Sequence, residues 1–225
     1  MNVPNPTVVP CALTIAGSDS GGGAGIQADL KTFAAHGVHG LSALAALTAQ
    51  NTRAVTAVHV PPPAFLRAQI DACFDDFDVR AVKIGMLASA RVIHAVADAL
   101  EAWKPRHVVL DPVMVASSGA RLLQPAALAA LRERLLPLAT LVTPNIPEAE
   151  LLLGQPIGDD AQAREALLAL RALGARAVLL KGGHLPGRDV VDRLPPQPLG
   201  LGNVRRHQRG QWPQAFAQCR QRRRL

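Results

Sequence analysis

Short apolar runs alternate with longer amphipathic segments through most of the chain. Four short runs have the length and composition of buried strands: 12–16, 81–84, 108–111 and 177–180. Between the first two, Leu66, Ile70, Cys73 and Phe77 recur at intervals of four, three and four residues, which is the spacing of one helical face. Alternating strands and helices predict βαβ units. The expected fold class is therefore α/β, with a mostly parallel central sheet and helices on both of its faces.

The same patterns predict a further strand and several helices. Residues 55–60 alternate between apolar and polar positions like a strand. Ser89 precedes a segment with apolar residues at helical spacing, so we expect it to cap a helix there. The remaining predicted helices span 26–36, 125–136 and 160–173.

Polar residues follow several of the apolar segments. They are Asp19, Lys83, Asp111, Asn145 and Lys181. The carboxyl ends of parallel strands share one edge of a sheet, and ligands bind in the crevice beyond that edge. We therefore expect these five side chains to lie along the ligand-binding edge.

A glycine-rich segment follows the first predicted strand. Its glycines are Gly21, Gly22, Gly23 and Gly25. The segment is not a P-loop, because no Gly-Lys-Ser/Thr follows, and it does not have the spacing of a dinucleotide-binding turn. Glycines allow a ligand to approach the backbone and leave a helix N-terminus open. A plain tight turn accounts for the pattern equally well.

Single residues near these segments have simple structural interpretations. Asp29 suits the solvent-facing first turn of a helix, where it interacts favourably with the helix dipole. Gln50 and Asn51 suit a turn after an apolar strand. Lys83 suits a side chain that reaches solvent along the protein surface, and Met86 suits the core. Taken one at a time, these interpretations are favoured over a binding role.

The combination of segments points further. Six of them occur in a characteristic order: AGSDSGGGAGIQAD (16–29), TAQNT (48–52), KIGML (83–87), VLDPVM (109–114), TPNIPEA (143–149) and LKGGH (180–184). This series resembles the hydroxymethylpyrimidine/phosphomethylpyrimidine kinases of thiamine biosynthesis, and the resemblance covers about four-fifths of the chain. It implies a ribokinase-like fold with three αβα layers.

The resemblance also implies an activity and a set of site residues. Members of the family use ATP and Mg²⁺ to phosphorylate 4-amino-5-hydroxymethyl-2-methylpyrimidine and then its monophosphate. The implied positions are Gly17, Asp29, Gln50, Met86 and Val113 for the pyrimidine, Asn145 and Lys181 for ATP, and Asp111 and Glu148 for the metal. A glutamine amide with backbone groups can pair with an aminopyrimidine edge, and apolar side chains can sandwich its flat ring.

Composition changes this picture only at the end of the chain. The sequence has 24 Lys and Arg against 17 Asp and Glu, but the last 31 residues contain seven Arg and no acid. Residues 1–194 are therefore electrically balanced, which argues against a nucleic-acid-binding domain. The three cysteines lie far apart and form no CxxC pair, so neither a disulfide framework nor a zinc site is expected.

The resemblance stops near residue 194. We expect an incomplete kinase domain at 1–194, and a basic tail at 195–225 that is disordered or produced by a shifted reading frame. The family's Gly-Thr-Gly-Cys segment, which forms an anion hole for the transferred phosphoryl group, does not occur in the sequence. The C-terminal elements of the fold are thus expected to be missing or replaced. No catalytic residue is identifiable, and the expected activity of the chain as written is low.

Three other functions remain open at this point. They are a pyridoxal kinase of the same superfamily, a non-catalytic pyrimidine- or nucleotide-binding protein on a kinase fold, and a tail that binds RNA or acidic surfaces. We expect a cytoplasmic protein, since the sequence has neither a secretory leader nor a long apolar span. We also expect no specific nucleic-acid partner and no membrane partner, and the family resemblance implies a homodimer.

Overall fold

A seven-stranded sheet organises the chain. The computed structural model describes residues 9–114, 123 and 126–182, and the backbone of 189–191 and 206–208. The sheet strands are β1 (Cys11–Asp19), β2 (His39–Gln50), β3 (Val55–His59), β4 (Val79–Ile84), β5 (His107–Leu110), β6 (Leu141–Val142) and β7 (Ala177–Val178). Their spatial order is β3-β2-β1-β4-β5-β6-β7, and every pairing is parallel except β2 with β3.

Helices connect the strands and cover the sheet. They are α1 (Gly25–Ala35), α2 (Pro63–Asp76), α3 (Ala90–Trp103), α4 (Ala127–Ala130), α5 (Ile146–Leu153) and α6 (Asp160–Ala172). The β1–α1–β2 crossover runs toward one edge of the sheet and the β4–α3–β5 crossover toward the other. Because parallel crossovers are right-handed, α1 and α3 lie on opposite faces. The predicted mostly parallel α/β architecture is confirmed.

The core includes a row of aliphatic side chains on the α3 face of the sheet. Paired strands place Ile84, Leu110, Val142 and Val178 side by side, and each is at most 1% exposed. The opposite face of the same strands presents Lys83, Val109, Leu141 and Ala177, which are only partly buried. The two faces of this half of the sheet are therefore covered unequally.

Two helix predictions differ from the structure. The predicted helix at 125–136 is a four-residue α-helix followed by a wider turn at Leu131–Leu135 and a 3₁₀ turn at Leu136–Leu138. Pro137 lies in that 3₁₀ turn and lacks the N–H that a continuing helix requires. Phe77, assigned to a helical face from its spacing, has extended backbone after the end of α2 and stacks on His39.

The basic tail lies almost wholly outside the described residues. Its described part, Arg206–Gln208, forms a strand that pairs antiparallel with Asp189–Val191 in a separate two-stranded sheet.

In the described part of the chain, no helix has the length and apolar character needed to cross a bilayer. Exposed apolar side chains occur on and near the edge strand β3, including Val58, Val60 and Phe65. The homodimer stays a prediction.

A residue with left-handed backbone at the end of α3 provides a test of this fold. Lys104 is exposed and has φ 49° and ψ 53°, and its N–H donates to Leu100 O at 2.8 Å. Since glycine adopts this conformation without the Cβ penalty, Lys104→Gly should raise the free energy of unfolding by about 0.5–1 kcal/mol. The melting temperature should rise by roughly 1–4 °C. Lys104→Ala removes the same charge but keeps a Cβ; a stabilisation of equal size in that variant would contradict the explanation.

Candidate functional site

The glycine-rich turn after β1 is held by one buried carboxylate. Asp19 is the last residue of β1 and is 5% exposed. Its carboxylate accepts hydrogen bonds from the backbone N–H groups of Gly21 at 2.7 Å, Gly23 at 2.9 Å and Ala24 at 2.8 Å. The turn is thus folded around the side chain of Asp19. Sequence reasoning placed this residue at the sheet edge but assigned it no task; an Asp two residues before a run of glycines was the available signal.

Close backbone contact explains one glycine of this turn. Gly25 has φ 56°, and a Cβ there would lie 2.2 Å from the carbonyl oxygen of Gly17. Any larger residue would force α1 away from the end of β1. Gly25 therefore fixes where the helix starts.

A cavity of about 530 Å³ opens beyond the carboxyl ends of β1, β2, β4 and β5. Four of the five residues predicted for the pyrimidine line it: Asp29, Gln50, Met86 and Val113. The fifth, Gly17, lies directly behind Met86, because a Cβ on Gly17 would be 2.6 Å from the Met86 methyl carbon. Met86 is 8% exposed and packs with Ala46, Ala88 and Val113. The cavity therefore has an apolar wall formed by Met86 and Val113.

Asp29 forms the charged part of the cavity wall. Its Oδ2 accepts a hydrogen bond from the Thr14 hydroxyl at 2.7 Å and forms an ion pair with Lys83 Nζ at 3.0 Å. No described residue donates to its Oδ1. From the sequence alone, Asp29 suited a solvent-facing position and Lys83 suited a side chain that reaches solvent. In the structure these two side chains instead pair with each other in the cavity wall. Thr14 was missed, because a threonine inside a buried strand carries no sequence signal of this contact.

Gln50 lies at the end of β2, where Ser20 ties the glycine-rich turn to the strand. The Ser20 hydroxyl donates to Gln50 O at 2.6 Å and accepts from Gln50 N at 2.8 Å. Thr48 Oγ1 lies 2.7 Å from the carbonyl oxygen of Ser18. The Ser20 hydroxyl joins β2 to the segment that follows β1, and the Thr48 hydroxyl joins β2 to the end of β1 itself. The side chain of Gln50 is thus carried on a backbone fixed from two sides.

A second polar group adjoins the cavity at Asp111, which is itself a lining residue. Asp111 Oδ1 lies 2.8 Å from Lys181 Nζ and accepts from the Thr143 hydroxyl at 3.3 Å. Lys181 also pairs through its backbone with Asn145 in an isolated parallel bridge. The structure therefore brings Asn145, Asp111 and Lys181 together at the sheet edge. The continuation of the Lys181 segment at Gly183 and His184 lies outside the described residues.

Asn145 and Glu148 start helix α5 as a capping box. The Asn145 side chain accepts from Glu148 N, and Glu148 Oε2 accepts from Asn145 N, both at 2.8 Å. Pro147 stands in the first turn, where its missing N–H costs nothing. Sequence reasoning did not assign this helix, although an Asn followed three residues later by Glu is the usual signal.

Glu148 has an unusual proton affinity. Burial raises the pKa of its carboxyl group from the ordinary 4.5 to about 7. The negative charge of Asp111 raises this pKa further, while the hydrogen bond from Asn145 N–H and the positive charge of Lys181 oppose the rise. The carboxyl of Glu148 therefore takes up or releases a proton near neutral pH.

Asp111 and Glu148 fit a Mg²⁺ ion that takes its other ligands from water and from the phosphates of a nucleotide. Among the described residues, no group of three or more His, Cys, Asp or Glu side chains forms a preformed metal cage. Mg²⁺ is usually held by one or two carboxylates together with water and substrate phosphates. Asp111 and Glu148 interact electrostatically beside Lys181, which fits a metal that arrives with a nucleotide.

The raised pKa of Glu148 predicts a pH-dependent stability that Glu148→Gln removes. Because this pKa is higher in the folded than in the unfolded chain, the folded protein keeps a proton that the unfolded chain releases between about pH 4.5 and pH 7. The wild-type free energy of unfolding should therefore fall across this range, relative to that of Glu148→Gln, by roughly 1–3 kcal/mol. Glutamine can still accept the capping hydrogen bond.

Urea denaturation at several pH values, without Mg²⁺ or nucleotide, measures this difference. Glu133→Gln, at an exposed carboxylate, controls for the loss of one charge. Parallel pH profiles for wild type and Glu148→Gln would show that Glu148 does not keep a proton in the folded state.

Comparison with known proteins gives matches over most of the chain. The family model described as phosphomethylpyrimidine kinase matches residues 19–198. The thiamine biosynthesis bifunctional protein ThiED of Geobacter sulfurreducens is 59% identical over 182 residues, which are 81% of this chain and 37% of that protein. The chain thus spans well under half the length of that relative.

Solved structures show the same fold. The crystal structure of phosphomethylpyrimidine kinase from Clostridium difficile is 45% identical with a TM-score of 0.79, and the match covers 88% of this chain and 84% of that one. An ADP complex of Bacillus subtilis pyridoxal kinase is 38% identical with a TM-score of 0.80, covering 91% and 78%. The ribokinase-like αβα fold expected from the sequence is confirmed by these neighbours. From its sequence motifs, its fold and these matches, the chain belongs to the phosphomethylpyrimidine kinase family.

Proposed function

We propose that the site phosphorylates 4-amino-5-hydroxymethyl-2-methylpyrimidine and its monophosphate with ATP, as a step of thiamine biosynthesis. One observation carries this proposal. A single cavity collects Asp29, Gln50, Met86 and Val113, and its border at Asp111 is shared with Lys181. A site for a flat polar ring is thereby adjacent to a site for phosphate and metal.

The cavity wall fits an aminopyrimidine. Met86 and Val113 offer apolar surface to the faces of a ring, and the methionine thioether adapts readily to a flat aromatic surface. Asp29 Oδ1 and the Gln50 amide offer polar atoms to the ring edge. Such a division of apolar faces and polar edges is what a small heteroaromatic substrate requires.

The neighbouring group fits the phosphates of ATP. We assign Asn145 and Lys181 to the nucleotide, because the ammonium of Lys181 can pair with a phosphate oxygen. Asp111 and Glu148 would hold Mg²⁺, which when bound neutralises charge on the phosphates. The similarity to a pyridoxal kinase whose structure contains ADP supports nucleotide binding by this chain.

The reaction needs little covalent participation by the protein. The hydroxymethyl oxygen forms a bond to the γ-phosphorus while the bond from that phosphorus to the β,γ-bridging oxygen breaks and releases ADP, and the hydroxyl proton passes to water. Holding the two reactants in line and stabilising the developing charge account for most of the catalysis. Met86 and Val113 hold the ring, and Lys181 stabilises charge on the transferred group.

We propose that the 225-residue chain by itself performs this reaction slowly. Its sequence lacks the Gly-Thr-Gly-Cys segment from which related kinases form an anion hole. Removing one such donor commonly lowers the rate by about 10²–10³-fold. A protein that binds both ligands but rarely transfers phosphate is the corresponding non-catalytic alternative.

A pyridoxal kinase is the second candidate. The structural similarity to the Bacillus subtilis pyridoxal kinase supports it. The amide of Gln50 and the thioether of Met86 favour the pyrimidine. Titration of the chain with pyridoxal and with the pyrimidine under the same conditions decides between them by the ratio of dissociation constants.

Substitution in the apolar wall tests the assignment of the cavity. Met86→Ala removes most of the surface against which the ring would pack, so pyrimidine binding should weaken about tenfold or more. Binding of a non-hydrolysable ATP analogue should change less than about threefold. Isothermal titration calorimetry measures both. Leu168→Ala, at a 65% exposed position on α6, is the matched control. Equal losses for both ligands would contradict separate ring and nucleotide regions.

Turnover tests the second proposal. ADP release by the chain in the presence of saturating pyrimidine, ATP and Mg²⁺ should be at least about 10²-fold slower than by the Clostridium difficile phosphomethylpyrimidine kinase. Comparable turnover of the two proteins would show that residues of this chain replace the anion hole.

A further inference from the structure

A buried hydroxyl lies between two oxygen atoms, and each of these oxygens can only accept a hydrogen bond. Thr48, near the end of β2, is 8% exposed. Its Oγ1 lies 2.7 Å from the carbonyl oxygen of Ser18 and 3.2 Å from Gln50 Oε1. A threonine hydroxyl carries one proton, so it cannot form a full hydrogen bond to both oxygens.

The two distances favour one placement of the hydroxyl proton. Hydrogen bonds from O–H to oxygen span about 2.5–3.0 Å, and those from N–H to oxygen span about 2.7–3.2 Å. The Ser18 contact fits the first class, and the Gln50 contact lies outside it but within the second. The hydroxyl therefore donates to Ser18 O, and an amide N–H is the partner that suits the contact with Gln50.

Exchange of the two ends of an amide satisfies both contacts. A half-turn about the last bond of the glutamine side chain swaps its oxygen and nitrogen and leaves the rest of the side chain in place. The Gln50 nitrogen then donates to Thr48 Oγ1. The other end of the amide, which has no hydrogen bond to any described residue, becomes the oxygen, on a side chain that lines the cavity.

We propose that Thr48 is a positioning residue that fixes the Gln50 amide with its oxygen toward the ligand, so that the site selects an amino group over a carbonyl group at ring position 4. The identity of the ring rests on the proposed function. Asp29 Oδ1, which also accepts no hydrogen bond from described residues, adds a second acceptor to the same cavity. A cavity with two open acceptors favours a ring edge rich in N–H donors.

The selectivity follows from what each ring edge meets. An amino group donates to the Gln50 oxygen, whereas a carbonyl oxygen at the same position faces another acceptor and loses its hydrogen bond with water without replacement. An amide that is free to turn can present its nitrogen to the carbonyl instead. Loss of the Thr48 hydroxyl should therefore reduce selectivity, in addition to any general loss of affinity.

Calorimetric titration with two compounds tests this. They are 4-amino-5-hydroxymethyl-2-methylpyrimidine and its 4-oxo counterpart, which has a carbonyl group at position 4 and a hydrogen on the neighbouring ring nitrogen. For the wild type, the amino compound should bind about tenfold or more tightly than the oxo compound. In Thr48→Val, which has nearly the same shape but no hydroxyl, this ratio should fall at least about threefold. Thr48→Ser keeps the hydroxyl, and its ratio should stay within about twofold of the wild type.

A second variant keeps the test decisive if Thr48→Val folds poorly. Gln50→Glu offers only acceptor atoms to the ligand, so it should keep the preference for the amino compound. A wild-type preference for the oxo compound that Gln50→Glu reverses would show that the amide nitrogen faces the ring and would overturn the proposal.

The remaining outcomes separate this inference from the proposed function. An unchanged ratio in a folded Thr48→Val variant overturns the role of Thr48 and leaves the pyrimidine site standing. Absence of binding of either compound to the wild-type chain overturns the proposed function and the inference together.

Discussion

The site depends on the buried carboxylate of Asp19. Three backbone N–H groups of the glycine-rich turn point at this side chain, at the end of the strand that lies between β2 and β4. A carboxylate gives each of these donors a charge-assisted partner, and leaving a single buried donor unpaired costs about 1–3 kcal/mol. This glycine-rich turn also places Ser20 against Gln50, and it leads into helix α1, which carries Asp29. The polar lining of the cavity therefore follows from how this turn is folded.

Two ion pairs lie along the cavity edge, in the two regions that we propose for the ring and for the nucleotide. The Asp29–Lys83 pair lies in the cavity wall, and the Asp111–Lys181 pair lies where the cavity meets the second polar group. In each pair the lysine balances a partly buried carboxylate, so the ligand-free site carries little net charge. A nucleotide with its metal would exchange the Asp111–Lys181 contact for contacts with phosphate and Mg²⁺. Asp29 keeps Oδ1 open without giving up its partners.

The sequence predicted the strands and the edge residues because those depend on local pattern. The apolar run at 12–16 lies within β1, and the Ser89 side chain accepts from Val92 N as a helix cap. The sequence did not predict contacts that form only through tertiary packing. The Asp29–Lys83 pair joins residues 54 positions apart through neighbouring parts of the fold, and Asp29 alone resembles an ordinary surface acid. Helix α5 could have been predicted from the sequence, because the capping box between Asn145 and Glu148 is a local signal.

The central claim is that one cavity at the carboxyl edge of the sheet holds a pyrimidine ring beside a nucleotide site. A crystal structure of the chain with 4-amino-5-hydroxymethyl-2-methylpyrimidine tests it most directly. The account predicts the ring between Met86 and Val113, its amino group at Gln50 or Asp29, and its hydroxymethyl group directed toward Asp111 and Lys181. A ring bound outside this cavity, or with its hydroxymethyl group directed away from Lys181, would contradict it.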